Sequence, residues 1–237
     1  GERGDFIAGI FVVPATVWDE PLSEWDKQHI HFHSRRLPWP VAVRSSALDE
    51  DGAAASFAGQ HLTMLNVRGE QQIFDAVMAC RKSAGSEQAL AYRRRAGLST
   101  DNIKIAVLVQ QMVNATSAFV AFSANPLNGH REETLINASW GLGESVVGGH
   151  VTPDMYTVHP GGGVDSRIEH KERMTVYYGP GTLEVGVPEG MQDFPSLTDW
   201  QAIQIDKLAR DLETWMGEPV DIEGAFDGEE LYLLQCR

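Results

Sequence analysis

The chain has 237 residues, 43% hydrophobic and 22% charged, an ordinary globular composition with enough length for one large core or two small ones. Nineteen Lys and Arg against 33 Asp and Glu leave a net charge of −14, which repels phosphate backbones and excludes nucleic-acid binding, although a local Arg cluster, backbone amides and a divalent cation can still hold a nucleotide. Cys80 and Cys236 lie far apart in no metal-ligand spacing, and no apolar run reaches bilayer length, so a zinc site, a disulfide framework and a membrane role are not expected and a cytoplasmic setting is.

In chain order, residues 7–13 form an apolar run stopped by Pro14 and predict a strand. Residues 18–37 predict a helix ending before Pro38 and Pro40, followed by a buried strand at 41–43. Residues 48–59 predict a loop, 62–67 a strand, and 71–97 a helix with apolar positions every three or four residues. Strands are expected over 103–113, 118–122 and 134–138, with a turn at Asn125-Pro126 and Asn128-Gly129. Gly161-Gly162-Gly163 marks a loop between β segments, and 197–215 predicts an amphipathic helix. Strands at 220–225 and 230–235 are joined by Asp227-Gly228 as a hairpin. Strands and helices do not alternate strictly, so the expected class is α+β with antiparallel sheets.

Five segments carry candidate chemistry. The strand at 41–43 delivers Arg44, Ser45 and Ser46. Arginine suits phosphate because its planar fork donates two parallel hydrogen bonds, and the alternative is an ion pair with Asp49, Glu50 or Asp51. Ser56-Phe57-Ala58-Gly59-Gln60, with Thr63 after it, lets backbone amides approach phosphate oxygens, or is simply a turn. The strand ending Gln110-Gln111-Met112-Val113 resembles an adenine seat, with a capped strand end as the alternative. Trp140-Gly141-Leu142-Gly143-Glu144-Ser145, running on to Thr152-Pro153-Asp154, pairs a flexible glycine loop with an acid for a ribose hydroxyl; it is neither a P-loop nor a Rossmann fingerprint.

The fifth is the terminal hairpin. Asp221 and Glu223 share one face of their strand, as Gln235 and Arg237 do on the partner. An acid and an amide oxygen presented together can bridge Mg²⁺ to nucleotide phosphates, with Arg237 on the terminal phosphate; the alternative is a Glu223–Arg237 surface salt bridge. Of His29, His31 and His33, only His29 and His33 align on a helix, and with no further ligand nearby a solvated helix end is expected rather than a metal site.

Taken in order, VAVRSSALDEDGAAASFAGQHLTMLNV, VLVQQMV, WGLGESVVGGHVTPDMY and PVDIEGAF…LYLLQCR resemble the ATP-binding domain shared by phosphoenolpyruvate synthase, pyruvate phosphate dikinase and rifampicin phosphotransferase. The GLGE…TPD wording is slightly closer to the last of these. The resemblance implies an ATP-grasp fold with two subdomains, 1–113 and 114–237, enclosing a nucleotide cleft, and ATP with Mg²⁺ as ligands. It places Arg44 at the phosphates and Gly59, Gln60 and Thr63 in the phosphate-covering loop. It places Gln110, Met112 and Val113 along adenine, Glu144 as the acid of the glycine segment, and Glu223 and Gln235 on magnesium. Arg237, with Arg44, would stabilise the transferring phosphoryl group. Gly224 departs from the Trp or Phe usual at its position, and the early Gly-Lys segment and the phosphohistidine swivel segment are not visible among these residues. The implied function is the ATP-binding half of a phosphotransferase, passing phosphate to a histidine on a separate domain or chain and then to a small-molecule acceptor. The alternatives are a stand-alone kinase or ligase acting directly on a small molecule, and a non-catalytic nucleotide-binding protein.

Overall fold

Residues 9–47, 62–149 and 151–237 are described by the structure, a computed structural model. The loop expected at 48–59, with Gly59, Gln60 and the acids Asp49, Glu50 and Asp51, lies outside them. The described residues divide into two compact units, one of Gly9–Met112 with Tyr177–Thr182 and one of Val113–Val176 with Leu183–Arg237.

The first unit runs β1 (Ile10–Val17), α1 (Glu24–Ser34), β2 (Val41–Ala47), β3 (Thr63–Val67), α2 (Glu70–Ser83), α3 (Glu87–Arg95) and β4 (Lys104–Gln111). Its antiparallel sheet has the order β1-β4-β2-β3. Alternating valines on the central strands, Val41 and Val43 with Val107 and Val109, meet Ile30 of α1 and Ile73, Val77 and Cys80 of α2 in one core. Where the sequence predicts a stop at Pro14, β1 continues through it. β1 is an edge strand with a bulge between Val13 and Thr16, so the missing N–H breaks no essential ladder bond. The single helix expected over 71–97 is two, α2 and α3. The Trp18 ring occupies the space a Cβ would need at Gly85, 2.5 Å away, and the Ser86 hydroxyl caps α3 by accepting from Ala89 N at 3.2 Å. Helix α1 is shorter than expected because Ser23 and Asp26 close a reciprocal capping box at its start.

The second unit contains β5 (Ser117–Phe122), β6 (Thr134–Trp140), α4 (Glu144–Val147), β7 (Asp154–Val158), β8 (Val164–Arg167), α5 (Asp199–Met216), β11 (Asp221–Asp227) and β12 (Glu230–Cys236). Six of these strands form an antiparallel sheet in the order β12-β11-β5-β6-β7-β8. Ala202, Ile205 and Ala209 of α5 pack on Phe119, Ile136, Tyr156 and Ile222, which all face one side of it. Gly217, in the left-handed region at φ 81°, ends α5. Strands β9 (Arg173–Tyr178) and β10 (Gly181–Gly186) pair as a separate hairpin to which no expected element corresponds, and its turn, Tyr177–Thr182, counts with the first unit. The class is α+β with antiparallel sheets. No helix among the described residues is long and apolar enough to cross a membrane.

Candidate functional site

In the first unit, strand alternation sorts the expected residues onto one face. Val43 pairs with Val109 on the core side, so its neighbours Ala42 and Arg44 point to the other side. Arg44 pairs directly with Thr63 on β3 and with Leu108 on β4, and Gln110 pairs with Ala42. Arg44, Thr63 and Gln110 therefore share the face turned away from α1 and α2. Arg44 is half-buried, Thr63 exposed and Gln110 buried. Met112 follows two residues beyond Gln110, its N–H donating to Pro40 O at 3.0 Å and its sulfur accepting from Asn66 N at 2.9 Å.

His29 and His33 align on α1 as expected, with ring centroids 4.4 Å apart. The His29 ring contacts Val12 O at 2.9 Å, and His31 pairs with Glu70 at 2.8 Å. Burial and the neighbouring His29 lower the His33 pKa.

In the second unit the same rule applies with α5 as the covered side. Ile222 faces α5, so Asp221 and Glu223 face away from it. Glu223 pairs with Gln235 on β12 and with Val120 on β5, and Val120 pairs with Asn137 on β6. A row of Gln235, Glu223, Val120 and Asn137 thus crosses four strands on the face opposite α5. Asn137 was not singled out by its sequence context; its only signal is its place in the alternation of β6. The Gln235 amide oxygen, oriented toward Arg237, accepts from Nε and Nη2 at 2.8 Å each. The Arg237 backbone is fixed by reciprocal 2.9 Å bonds with Asp221, so the guanidinium is delivered from a paired strand end. Val113 is buried against Ala118 and Ala225.

Gly224 stands in the sheet beside this row. A Cβ there would lie 2.3 Å from Phe119 Cζ and 2.7 Å from Tyr232 O. The apolar contact that a larger residue would bring to position 224 is supplied by the Phe119 ring, so the strand carrying Glu223 is packed, not loosened, by the glycine.

Glu223 places a carboxylate, which suits a hard cation, directly opposite Gln235, whose amide oxygen is engaged by Arg237 and would have to leave that guanidinium to become a second oxygen ligand. Among the described residues, no group of three or more His, Cys, Asp or Glu gathers as a metal cage.

The glycine segment is pinned where the sequence suggests a free loop. Gly141 bridges Thr175 in parallel at φ 79°, with Thr175 O where a Cβ would be, at 2.4 Å. Leu142 N donates to the same oxygen at 2.9 Å, and the Ser145 and Thr175 hydroxyls meet at 2.6 Å. Glu144 opens α4 with its side chain exposed. Asp154 has the opposite environment, fully buried against the fully buried Lys171 at 2.6 Å. It also accepts from Glu169 N, Ser196 N and the Ser196 hydroxyl at 2.7–2.9 Å, so its acceptor positions are taken by protein donors. Of the two acids in this stretch, Glu144 alone reaches the surface. Burial pushes the Cys80 thiol up to about 12, and burial with Asp221 raises Cys236, so neither is a thiolate at neutral pH.

Residues 13–237 match the AMP/ATP-binding domain family of pyruvate phosphate dikinase. The chain is 40% identical over 236 residues to a probable phosphoenolpyruvate synthase of Pyrococcus abyssi, covering 95% of this chain and 29% of that protein. It is 40% identical over 197 residues to rifampicin phosphotransferase of Streptomyces sviceus, covering 83% and 23%. Identity therefore does not separate the two. Among solved structures, a D-alanine–D-alanine ligase from Helicobacter pylori overlaps 98% of this chain and 48% of its own, at 10% identity and a TM-score of 0.42. The chain spans about a quarter of the length of the curated relatives it matches. With the family profile covering almost its whole length, the chain belongs to the pyruvate phosphate dikinase AMP/ATP-binding domain family.

Proposed function

We propose that the chain is the ATP- and Mg²⁺-binding module of a phosphotransferase with an ATP-grasp architecture. Its two subdomains are those expected at 1–113 and 114–237, a reading supported by the division into compact units near that boundary, with Tyr177–Thr182 counted in the first. The observation that carries this reading is the direct pairing of Glu223 with Gln235, with Arg237 bound to that same amide, on the sheet face opposite α5. Arg44 and Thr63 hold phosphate oxygens, and Gln110, Met112 and Val113 line adenine. Glu144 takes a ribose hydroxyl. Glu223, with Gln235 once its amide oxygen turns from Arg237, would hold the magnesium ion, which would supply positive charge to neutralise the phosphates. Arg237 and Arg44 stabilise charge that develops on the phosphoryl group in flight. The acceptor is a histidine on a separate domain or chain, and from it a small molecule, in keeping with relatives more than three times as long as this chain.

The test is a nucleotide titration of Glu223→Ala and Gln235→Ala with and without Mg²⁺. Each variant should lose most of the affinity that Mg²⁺ adds while its metal-free affinity stays near wild type, because only the oxygen ligands are removed. Equal losses in both conditions would make the pair a structural contact and overturn its metal role.

A further inference from the structure

Asn66 lies in a bulge of β3, where two residues of β3 oppose one of β2 between the pairs Val43–Met64 and Val41–Val67. Its φ is 56°, in the left-handed region that Asn tolerates better than other side-chain-bearing residues, and it is 1% exposed. Its backbone N–H and both ends of its side-chain amide are used toward its own unit. The backbone N–H donates to the Met112 sulfur at 2.9 Å. The amide nitrogen donates to Gly179 O at 2.9 Å and Gly181 O at 2.7 Å, and the amide oxygen accepts from Arg68 Nε at 3.0 Å. Only an amide fits this set, since it must give two hydrogens to carbonyls and take one from a guanidinium. Aspartate would set a negative oxygen against two carbonyls, and glycine would keep the backbone but release the turn.

Met112 belongs to the segment read above as the adenine seat, and the inference rests on that reading. A thioether has three rotatable bonds and packs well on a ring face, but holding it in one place costs entropy when the base arrives. A sulfur already held by an N–H, with the Tyr177–Thr182 turn tied to the same residue, has less freedom left to lose. We propose that Asn66 is the positioning residue of the base pocket: it fixes the Met112 thioether and tethers the 177–182 turn beside it, so that base affinity and base choice depend on a residue that does not touch the nucleotide.

The test compares wild type, Asn66→Gly and Arg68→Ala in titrations with ATP and with GTP, beside the melting temperature of each protein without nucleotide. Asn66→Gly keeps the left-handed backbone, and with it the N–H to Met112, while removing the tether. It should weaken ATP binding about tenfold and narrow the preference for ATP over GTP. Arg68→Ala, which removes one partner of the amide, should move both quantities in the same direction by less. A lowered melting temperature with affinity and preference intact would show Asn66 to be a structural staple and overturn the proposal. If Asn66→Gly does not fold, an unchanged preference in Arg68→Ala overturns it alone. A wild-type chain that fails to bind ATP would instead overturn the base-seat reading itself, and the proposal with it.

Discussion

Asp154→Ala should destabilise the protein by about 3–5 kcal/mol, because removing one partner of a buried ion pair leaves the other charge enclosed and uncompensated. Lys171, at 2.6 Å and without solvent exposure, would be that charge, and the donors of Glu169 and Ser196 would lose their acceptor in the same step. For a chain of this length, such a loss lowers the melting temperature by roughly 10 °C. Below the melting transition, ATP affinity should change little, since every acceptor position of Asp154 already faces a protein donor. Thermal unfolding and a nucleotide titration of the same variant check the two halves. An unchanged melting temperature with lost ATP affinity would mean that Asp154, not Glu144, is the acid that meets the ligand.

Arg237→Lys should bind ATP nearly as well as wild type and yet transfer phosphate at least about a hundredfold more slowly, a barrier increase on the order of 3 kcal/mol. The Arg237 backbone is fixed by its two bonds to Asp221, so a lysine would start from the same strand end. It would lack the fork that grips the Gln235 oxygen through both Nε and Nη2, and with it the rigid aim of the charge. A donor aimed at charge that appears during transfer affects rate more than ground-state binding. Single-turnover transfer from labelled ATP, with the histidine-bearing partner supplied and a binding titration alongside, measures both. Transfer at the wild-type rate would reduce Arg237 to a structural partner of Gln235.

The terminal hairpin shows how far sequence reading reaches. Asp227-Gly228 announces the turn, and the pairing Asp227–Glu230 follows from a two-residue loop. Counting back from that turn sets Glu223 opposite Leu234, with every later pair one residue out. The bulge between Glu223 and Gly224 absorbs Leu234 and brings Gln235 opposite Glu223. No residue pattern at Leu233-Leu234 announces it; the resemblance to a family named the pair, and the fold supplies its register. Arg44, Thr63 and Gln110 sort onto one face by strand alternation alone, which is why that grouping was legible once β2 and β4 were recognised as strands. The Asp154–Lys171 pair was not legible, because its partners are 17 residues apart and only the packing of β7 against the segment before β9 joins them. Asn66 was hidden for a related reason. Its left-handed conformation belongs to a bulge, and its partners, Met112 and the Gly179–Gly181 turn, are 46 to 115 residues away. Pro14 misled because the break it signals applies to inner strands, and β1 is an edge.

The central claim, that this chain binds ATP through a magnesium-assisted site, is tested most directly by calorimetric titration of the wild-type chain with ATP, in Mg²⁺ and again in chelator. The account predicts saturable binding at one site, with a dissociation constant between about 1 μM and 1 mM in Mg²⁺ and weaker binding in chelator. No saturable heat in either condition, from a chain shown to be folded by its thermal transition, would contradict it.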